Sequence, residues 1–249
     1  MVVELFLDLR SQPCRALFIF AKKNNIPFEF KDVELLKGHH LSEEFGKVNV
    51  LKKVPAPLIH CLSPQHLTSA CYVPCSDIAI LLYLSRKFNT PDHWYPSDLQ
   101  KRARVDEYLS WQHTTIREKG CKIFITKVLV PLVVGQPFSP EKLEEAVEEL
   151  NSALKQFEEK FLQDKPFIVG NEISLADLVA IVELMQPVGC GCDIFENRPK
   201  LVEWRSRVEE AVGKELFQQA HEIILNVKNM STTQLPPELR EHVKQFLKP

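Results

Sequence analysis

Apolar positions recur along this chain at two different periods, and the change of period divides it. Val3-Glu4-Leu5-Phe6-Leu7 alternates and predicts a strand. From Pro13 to Asn24 the spacing widens so that Leu17, Phe18 and Ala21 share one helical face, with Pro13 tolerated in the first turn. Phe28-Glu29-Phe30-Lys31-Asp32-Val33 alternates again. A strand, helix and strand at this spacing form a βαβ unit, whose two strands run parallel. The stretch from Lys53 to Ile59 opens a third strand, and Cys71-Tyr72-Val73 gives a weaker fourth. Ser76 or Asp77 then caps an apolar helix through Ile78, Leu81, Leu82 and Leu84.

Strand periodicity ends at Thr90-Pro91-Asp92-His93-Trp94-Tyr95-Pro96-Ser97-Asp98, a Pro-rich aperiodic stretch that reads as a linker anchored by Trp94 and Tyr95. Everything after it is helical. Ser139-Pro140 starts a long helix with the stripe Leu143, Ala146, Val147, Leu150, Leu154, Phe157 and Phe161. Ile173-Ser174-Leu175-Ala176-Asp177-Leu178 is a capping box with a hydrophobic staple, opening a core helix with Val179, Val182 and Met185. Asn197 caps a helix with Pro199 in its first turn, Leu216 to Val227 forms another, and a short helix begins at Pro237. The fold class is therefore α/β plus all-α. The expected divisions are 1–90, a linker at 91–98, a helical part at 99–229 and a tail at 230–249.

Composition narrows the function. The chain has 249 residues, 45% of them hydrophobic and 26% charged, enough for a sizeable core. A net charge of -2 lacks the basic footprint of a nucleic-acid binder. The first residues carry acids and no basic stretch, unlike a signal peptide, and no apolar run approaches the ~18 residues that span a bilayer. Seven cysteines, an odd number, fit reduced thiols and a cytoplasmic setting.

The most informative stretch chemically is Ser11-Gln12-Pro13-Cys14-Arg15, at the junction of the first strand and helix. A hydroxyl there faces the first backbone N–H groups and the positive end of the helix macrodipole, a place suited to a small anion. Proteins of the thioredoxin type put a reactive Cys at this spot, the first of a Cys-x-x-Cys pair. Here Ser11 takes that place and Cys14 keeps only the second. Such a site stabilises a visiting sulfur and does not supply its own; Ser11 acting only as a helix cap is the competing reading.

Ser11-Gln12-Pro13-Cys14-Arg15, Lys37-Gly38-His39-His40, Lys53-Val54-Pro55, Ala79-Ile80-Leu81-Leu82-Tyr83-Leu84, Arg102-Ala103-Arg104-Val105-Asp106-Glu107-Tyr108 and Ser174-Leu175-Ala176-Asp177 together resemble a theta-class glutathione S-transferase. The resemblance covers nearly the whole chain, failing at about 58–77 and fading in the last twenty residues. It implies an N-terminal thioredoxin-like domain that binds glutathione, a C-terminal helical-bundle domain with an electrophile pocket, and a homodimer. It also implies a cytoplasmic detoxification enzyme that conjugates the thiolate of its cosubstrate glutathione to small hydrophobic electrophiles, with no permanently bound cofactor. The same thiolate can reduce organic hydroperoxides.

Carried over by position, the resemblance gives Ser11 the catalytic contact to the glutathione sulfur. Val54, before a cis proline, would pair with the cysteinyl part through its backbone. His40 and Lys53 would lie near the glycyl carboxylate, Gln12 would border the same cleft, and Arg117 and Ile125 would line the electrophile pocket between the domains. The segment from Pro57 to Cys75 departs from the family: it is longer by about ten residues, and it lacks the Asp-Gly hairpin signal. Pro57 and Pro74 each remove a ladder donor. The family's Glu-Ser pair, which holds the γ-glutamyl end, becomes Ser76-Asp77 here. The alternative is thus a catalytically weak scaffold with a disrupted γ-glutamyl site; a disulfide oxidoreductase is disfavoured by Ser11 in place of Cys. Cys61, Cys71 and Cys75, with His60 and His66, match no familiar zinc spacing, so no metal site is expected. Cys190-Gly191-Cys192 is too tight for an unstrained disulfide and marks a helix end.

Overall fold

The computed structural model describes residues 2–60, 70–71, 76–135, 137, 139–227, 236–237 and 239–241. The chain divides into two compact units, residues 1–88 with 234–249, and residues 89–233.

In the first unit, β1 (Val2–Leu7), α1 (Gln12–Lys23) and β2 (Phe28–Asp32) form the expected right-of-way from strand to helix to strand, and β1 and β2 are parallel with Leu5 opposite Phe30. After α2 (Glu43–Val48), β3 (Ala56–His60) lies antiparallel to β1 and β4 (Ala70–Cys71) antiparallel to β3. The sheet order is β2-β1-β3-β4. Pro57 sits opposite Leu5, and the described residues of β4 pair with Ile59 and His60. Its missing N–H therefore interrupts no described bond to β4. Most of the segment that departs from the family, 61–69 and 72–75, lies outside the described residues, and with it the readings of Tyr72, Val73, Pro74, Cys61, His66 and Cys75. The helix α3 (Asp77–Lys87) follows, with Ser76 at its N-cap. Ser76 takes that position through its backbone alone, since its hydroxyl makes no capping bond.

The α1 helix is buried along most of its length, from Cys14 to Ala21, against the sheet. On the other side Val33, Phe45 and Ala56 form a small core with Phe6, Val48 and Val54 packed on it. Phe6 and Phe45 meet edge to face at 6.1 Å, which fixes α2 over the sheet.

The described residues of the second unit form helices joined by loops, with no strand among them. It runs through a short turn with buried Trp94, then α4 (Leu99–Trp111), α5 (Ile116–Phe124), α6 (Val130–Val134), α7 (Pro140–Gln156), α8 (Leu175–Gly189), α9 (Pro199–Val212) and α10 (Lys214–Leu225). Nearly every residue of α8 is buried, so its apolar character all round reflects a central position. Asp177 secures its start: Oδ2 accepts from the Ser174 N–H at 3.0 Å and its hydroxyl at 2.9 Å. Oδ1 accepts from the Ile168 N–H at 2.9 Å and from Trp204 Nε1 at 3.0 Å. The expected local cap thus also ties α8 to α9. Burial pushes the Asp177 carboxyl above the usual carboxylate range, against the pull of these four donors.

Two helix boundaries differ from expectation. The N-cap of α9 is Arg198, because Pro199 occupies the first turn; Asn197, expected as the cap, stands one residue earlier in the left-handed region with φ 59°. The helical part expected over 99–229 carries a wider π turn at Ile125–Leu129 after α5, and Pro131 follows at the start of α6. A widened turn accommodates a residue that has no N–H to donate. The stripe of α7 likewise runs into a π turn at Phe157–Leu162, which carries Phe157 and Phe161 into the aromatic cluster with Tyr108, Trp111 and Trp204.

Candidate functional site

A cavity of about 490 Å³ opens in the first unit where the β1–α1 loop, the turns at Leu35–Leu41 and the loop before β3 converge. That size is typical of a small-molecule site. Ser11, Leu35, His40, Leu41, Lys52, Lys53 and Val54 line it, and the exposed apolar side chains of Val50 and Leu51 stand at its rim. The structure thus brings together Ser11, His40, Lys53 and Val54, which lie between positions 11 and 54 of the chain.

Each wall is held by buried polar side chains. Asp8, 1% exposed, caps the end of β1: its Oδ1 accepts from the Arg10 N–H at 2.8 Å, and its Oδ2 accepts from the Leu35 N–H at 2.9 Å. The Asp8 carbonyl accepts from the Ser11 N–H at 2.9 Å. Arg15, wholly buried in α1, donates through Nη1 to the carbonyls of Leu9 at 2.8 Å and Arg10 at 3.0 Å. The loop leading into Ser11 is therefore clamped at both ends. Across the cavity, buried Asn49 donates to the Lys53 carbonyl at 2.7 Å and accepts from the Leu51 N–H at 2.9 Å. Lys52, with φ 51°, reaches back to donate to the Leu41 carbonyl at 2.6 Å. The Val54–Pro55 peptide bond is cis.

Ser11 is the N-cap of α1 by backbone conformation, yet its hydroxyl makes no capping hydrogen bond. The hydroxyl is half-buried, faces the cavity and lies within hydrogen-bonding reach of the Cys14 side chain. It stands at the positive end of the α1 dipole, where negative charge is favoured. Cys14 is fully buried, and burial pushes its thiol up to about 12. It stays protonated at any physiological pH and is no nucleophile, because the thiolate is the reactive form. The geometry therefore suits a borrowed sulfur.

The remaining predicted residues lie outside this lining. Gln12 follows Ser11 and is buried in the first turn of α1. Ser76 is exposed and Asp77 buried at the N-terminus of α3. In the second unit, Arg117 Nε donates to fully buried Glu183 Oε1 at 2.7 Å, and its Nη1 is 3.2 Å from His113 Nδ1. Ile125 is half-buried and opens the π turn between α5 and α6. Among the described residues no group of three His, Cys, Asp or Glu side chains is placed to hold a metal ion. No helix among them is long and apolar enough to cross a membrane. Cys14, Cys121, Cys190 and Cys192 are in no disulfide, and Cys190 caps the C-terminus of α8.

Comparison with known proteins decides what this site belongs to. Residues 121–211 match the model for the glutathione S-transferase C-terminal domain. The chain is 58% identical to glutathione S-transferase theta-1 of Gallus gallus, covering 99% of this chain and 98% of that protein. It is 53% identical to glutathione S-transferase theta-1 of Homo sapiens, covering 100% and 97%. The chain belongs to the theta class of the glutathione S-transferases. Its structure superimposes on the apo form of human glutathione S-transferase T1-1 with a TM-score of 0.87 and 52% identity over 98% of each chain. The human theta-class glutathione transferase solved with the glutathione conjugate of 1-menaphthyl sulfate gives 0.86 and 46% over 98% of each chain. As a theta-class transferase this protein is an enzyme with glutathione as its cosubstrate, and the α/β plus all-α fold is the one the class adopts.

Sequence reasoning missed the residues that build the theta-class site from behind. Asp8, Asn49 and Lys52 lie outside every motif quoted above, and Arg15, though inside one, was given no role of its own. Asp8 alone left a trace, an acid closing an apolar strand, and it reads as an ordinary loop residue.

Proposed function

We propose that Ser11 donates its hydroxyl hydrogen bond to the glutathione sulfur and holds it as a thiolate for attack on small electrophiles. The supporting observation is that this hydroxyl faces the cavity at the N-terminus of α1 and is not spent on capping it, while the neighbouring Cys14 thiol stays protonated. A free thiol has a pKa of ~8.5, so most glutathione is protonated at neutral pH. One donated hydrogen bond and a helix N-terminus both favour the anion. A shift of about two units corresponds to roughly 2.7 kcal/mol, within reach of those two effects.

In this reading the peptide lies across the cavity with its glycyl carboxylate toward Lys53 and His40 and its cysteinyl backbone against Val54. Gln12 borders the same cleft, and Ser76 and Asp77 attend the γ-glutamyl end. Arg117 and Ile125 serve the electrophile, with Arg117 held in place by Glu183. Residues 1–90 carry glutathione binding, 91–98 link, 99–229 carry the electrophile side and 230–249 form a tail. The same thiolate attacks an organic hydroperoxide at its outer oxygen and breaks the O–O bond to release the alcohol, and a second glutathione reduces the resulting sulfenic acid to the disulfide and water, giving a second, peroxidase activity. The setting is a cytoplasmic homodimer engaged in detoxification.

Ser11→Ala tests the assignment. The variant should keep its thermal stability, because no cap is lost, and its kcat for conjugation should fall roughly 100-fold, the usual loss for one donor to a developing anion. Full activity in Ser11→Ala, or a loss of stability with kcat intact, would refute it. If the unsubstituted protein fails to bind glutathione in a thermal-shift titration, the weak-scaffold alternative replaces it.

A further inference from the structure

We propose that Asp8 is a positioning residue for the thiol site: its buried carboxylate joins the loop before Ser11 to the turn at Leu35 and so sets where the Ser11 hydroxyl points. The inference rests on the reading of Ser11 above and extends it to a residue that lies behind the cavity lining.

One oxygen of Asp8 holds the Arg10 N–H, at 2.8 Å, one residue before Ser11. The other holds the Leu35 N–H, at 2.9 Å, 27 positions away, at the start of the turns that carry His40 into the cavity. Arg10 Nη1 lies 3.2 Å from both oxygens. The Asp8 carbonyl takes the Ser11 N–H itself. One residue, 1% exposed, thus bonds to two of the three segments that line the cavity. The charges around it are Arg10 on its own loop, Arg15 from α1, and Asp32, Glu34 and His39 at and beyond the end of β2. Asp8 adds to pushing up the Cys14 thiol, three residues after Ser11, and the Asp32 carboxyl, so its negative charge is felt beside the first turn of α1.

That field makes the proposal separable from simple electrostatics. A negative charge near a thiol disfavours the thiolate. If charge were all that mattered, Asp8→Asn would lower the pKa of bound glutathione. If Asp8 positions Ser11, the same substitution loosens the hydroxyl and raises that pKa. The two accounts predict opposite signs.

The experiment titrates the thiolate absorbance of glutathione bound to the full chain, to Asp8→Asn, to Ser11→Ala and to the double variant. We expect Asp8→Asn to raise the thiol pKa toward its free value and to lower kcat roughly 10- to 100-fold, as misplacement of a positioning group does, with a smaller change in glutathione KM. In the Ser11→Ala background the Asp8 substitution should add far less, since coupled residues are not additive. A lowered or unchanged pKa in Asp8→Asn, or equal effects in both backgrounds, would overturn the proposal while leaving Ser11 its role. An unchanged pKa in Ser11→Ala would instead remove the Ser11 reading, and this inference with it. Should Asp8→Asn not fold, amide exchange on the unsubstituted protein still decides. The Leu35 N–H should be protected, and exchange as fast as an unbonded turn amide would show that the clamp does not form.

Discussion

Cys14 and Ser11 are three residues apart and have opposite fates. Burial leaves Cys14 a neutral thiol, while Ser11 keeps an accessible hydroxyl at a helix start. Two predictions follow from the raised Cys14 thiol. Alkylation of the native protein at neutral pH, read by peptide mass spectrometry, should leave Cys14 unlabelled while the half-buried Cys121 and Cys192 react. An acid whose folded pKa is raised stabilises the fold fully below its unfolded value, near 9.0 here, and loses that contribution as pH climbs toward about 12. Cys14→Ala should therefore flatten the alkaline fall in stability over that range; an unchanged fall would show that other groups cause it. The position of Ser11 at the start of α1 was legible in the sequence because an alternating strand and a Pro-started helix meet there. Asp8 was not, because its decisive partner is a backbone N–H 27 residues away, and backbone partners leave no mark on side-chain patterns. Asn49 and Lys52 were missed for the same reason: they bond to the carbonyls of Lys53 and Leu41.

Among the elements, α8 organises the helical unit, and its two ends make different demands. At its start, Asp177→Asn turns an acceptor toward the Ser174 N–H into a donor while burying the same volume. It should cost at least about 2 kcal/mol in denaturant unfolding, since a buried donor is left unpaired beside the site of a charged acceptor. At its end, a Cβ on Gly189 would lie 2.4 Å from the backbone carbonyl oxygen of Ile224, too close for any rotamer change to relieve. Gly189→Ala should therefore destabilise the packing of α10 on α8 by about 1–3 kcal/mol, with little effect on glutathione binding; a neutral outcome would mean that the two helices slide apart freely. The capping box was readable because its signals lie within four residues. Its tie to Trp204 was not, because that contact spans 27 positions. The π turns at 125–129 and 157–162 escaped because each is a single widened turn, too short to change an apolar period. Arg198 displaced Asn197 as cap because proline in the first turn fixes the register more firmly than the residue type before it.

For the whole molecule, the sequence carried the fold class through one change of period, from the alternation of β1 and β2 to the three-and-four spacing that begins after residue 98. The parallel pairing of β1 with β2 followed from the length between them. The segment 57–75 was the least legible, since it lacks the hairpin signal that fixes register, and only β3 and Ala70–Cys71 of it are described. The proposed homodimer makes a prediction at this scale: sedimentation equilibrium should return twice the chain mass of 28.7 kDa, and a monomer at micromolar concentration would contradict it. The central claim concerns a single hydrogen bond to a guest sulfur, and the most direct measurement is the pKa of glutathione in its complex with this protein and with Ser11→Ala. The account predicts a thiol lowered by roughly two units in the unsubstituted complex and returned close to ~8.5 in the variant. An identical pKa in the two complexes would contradict it.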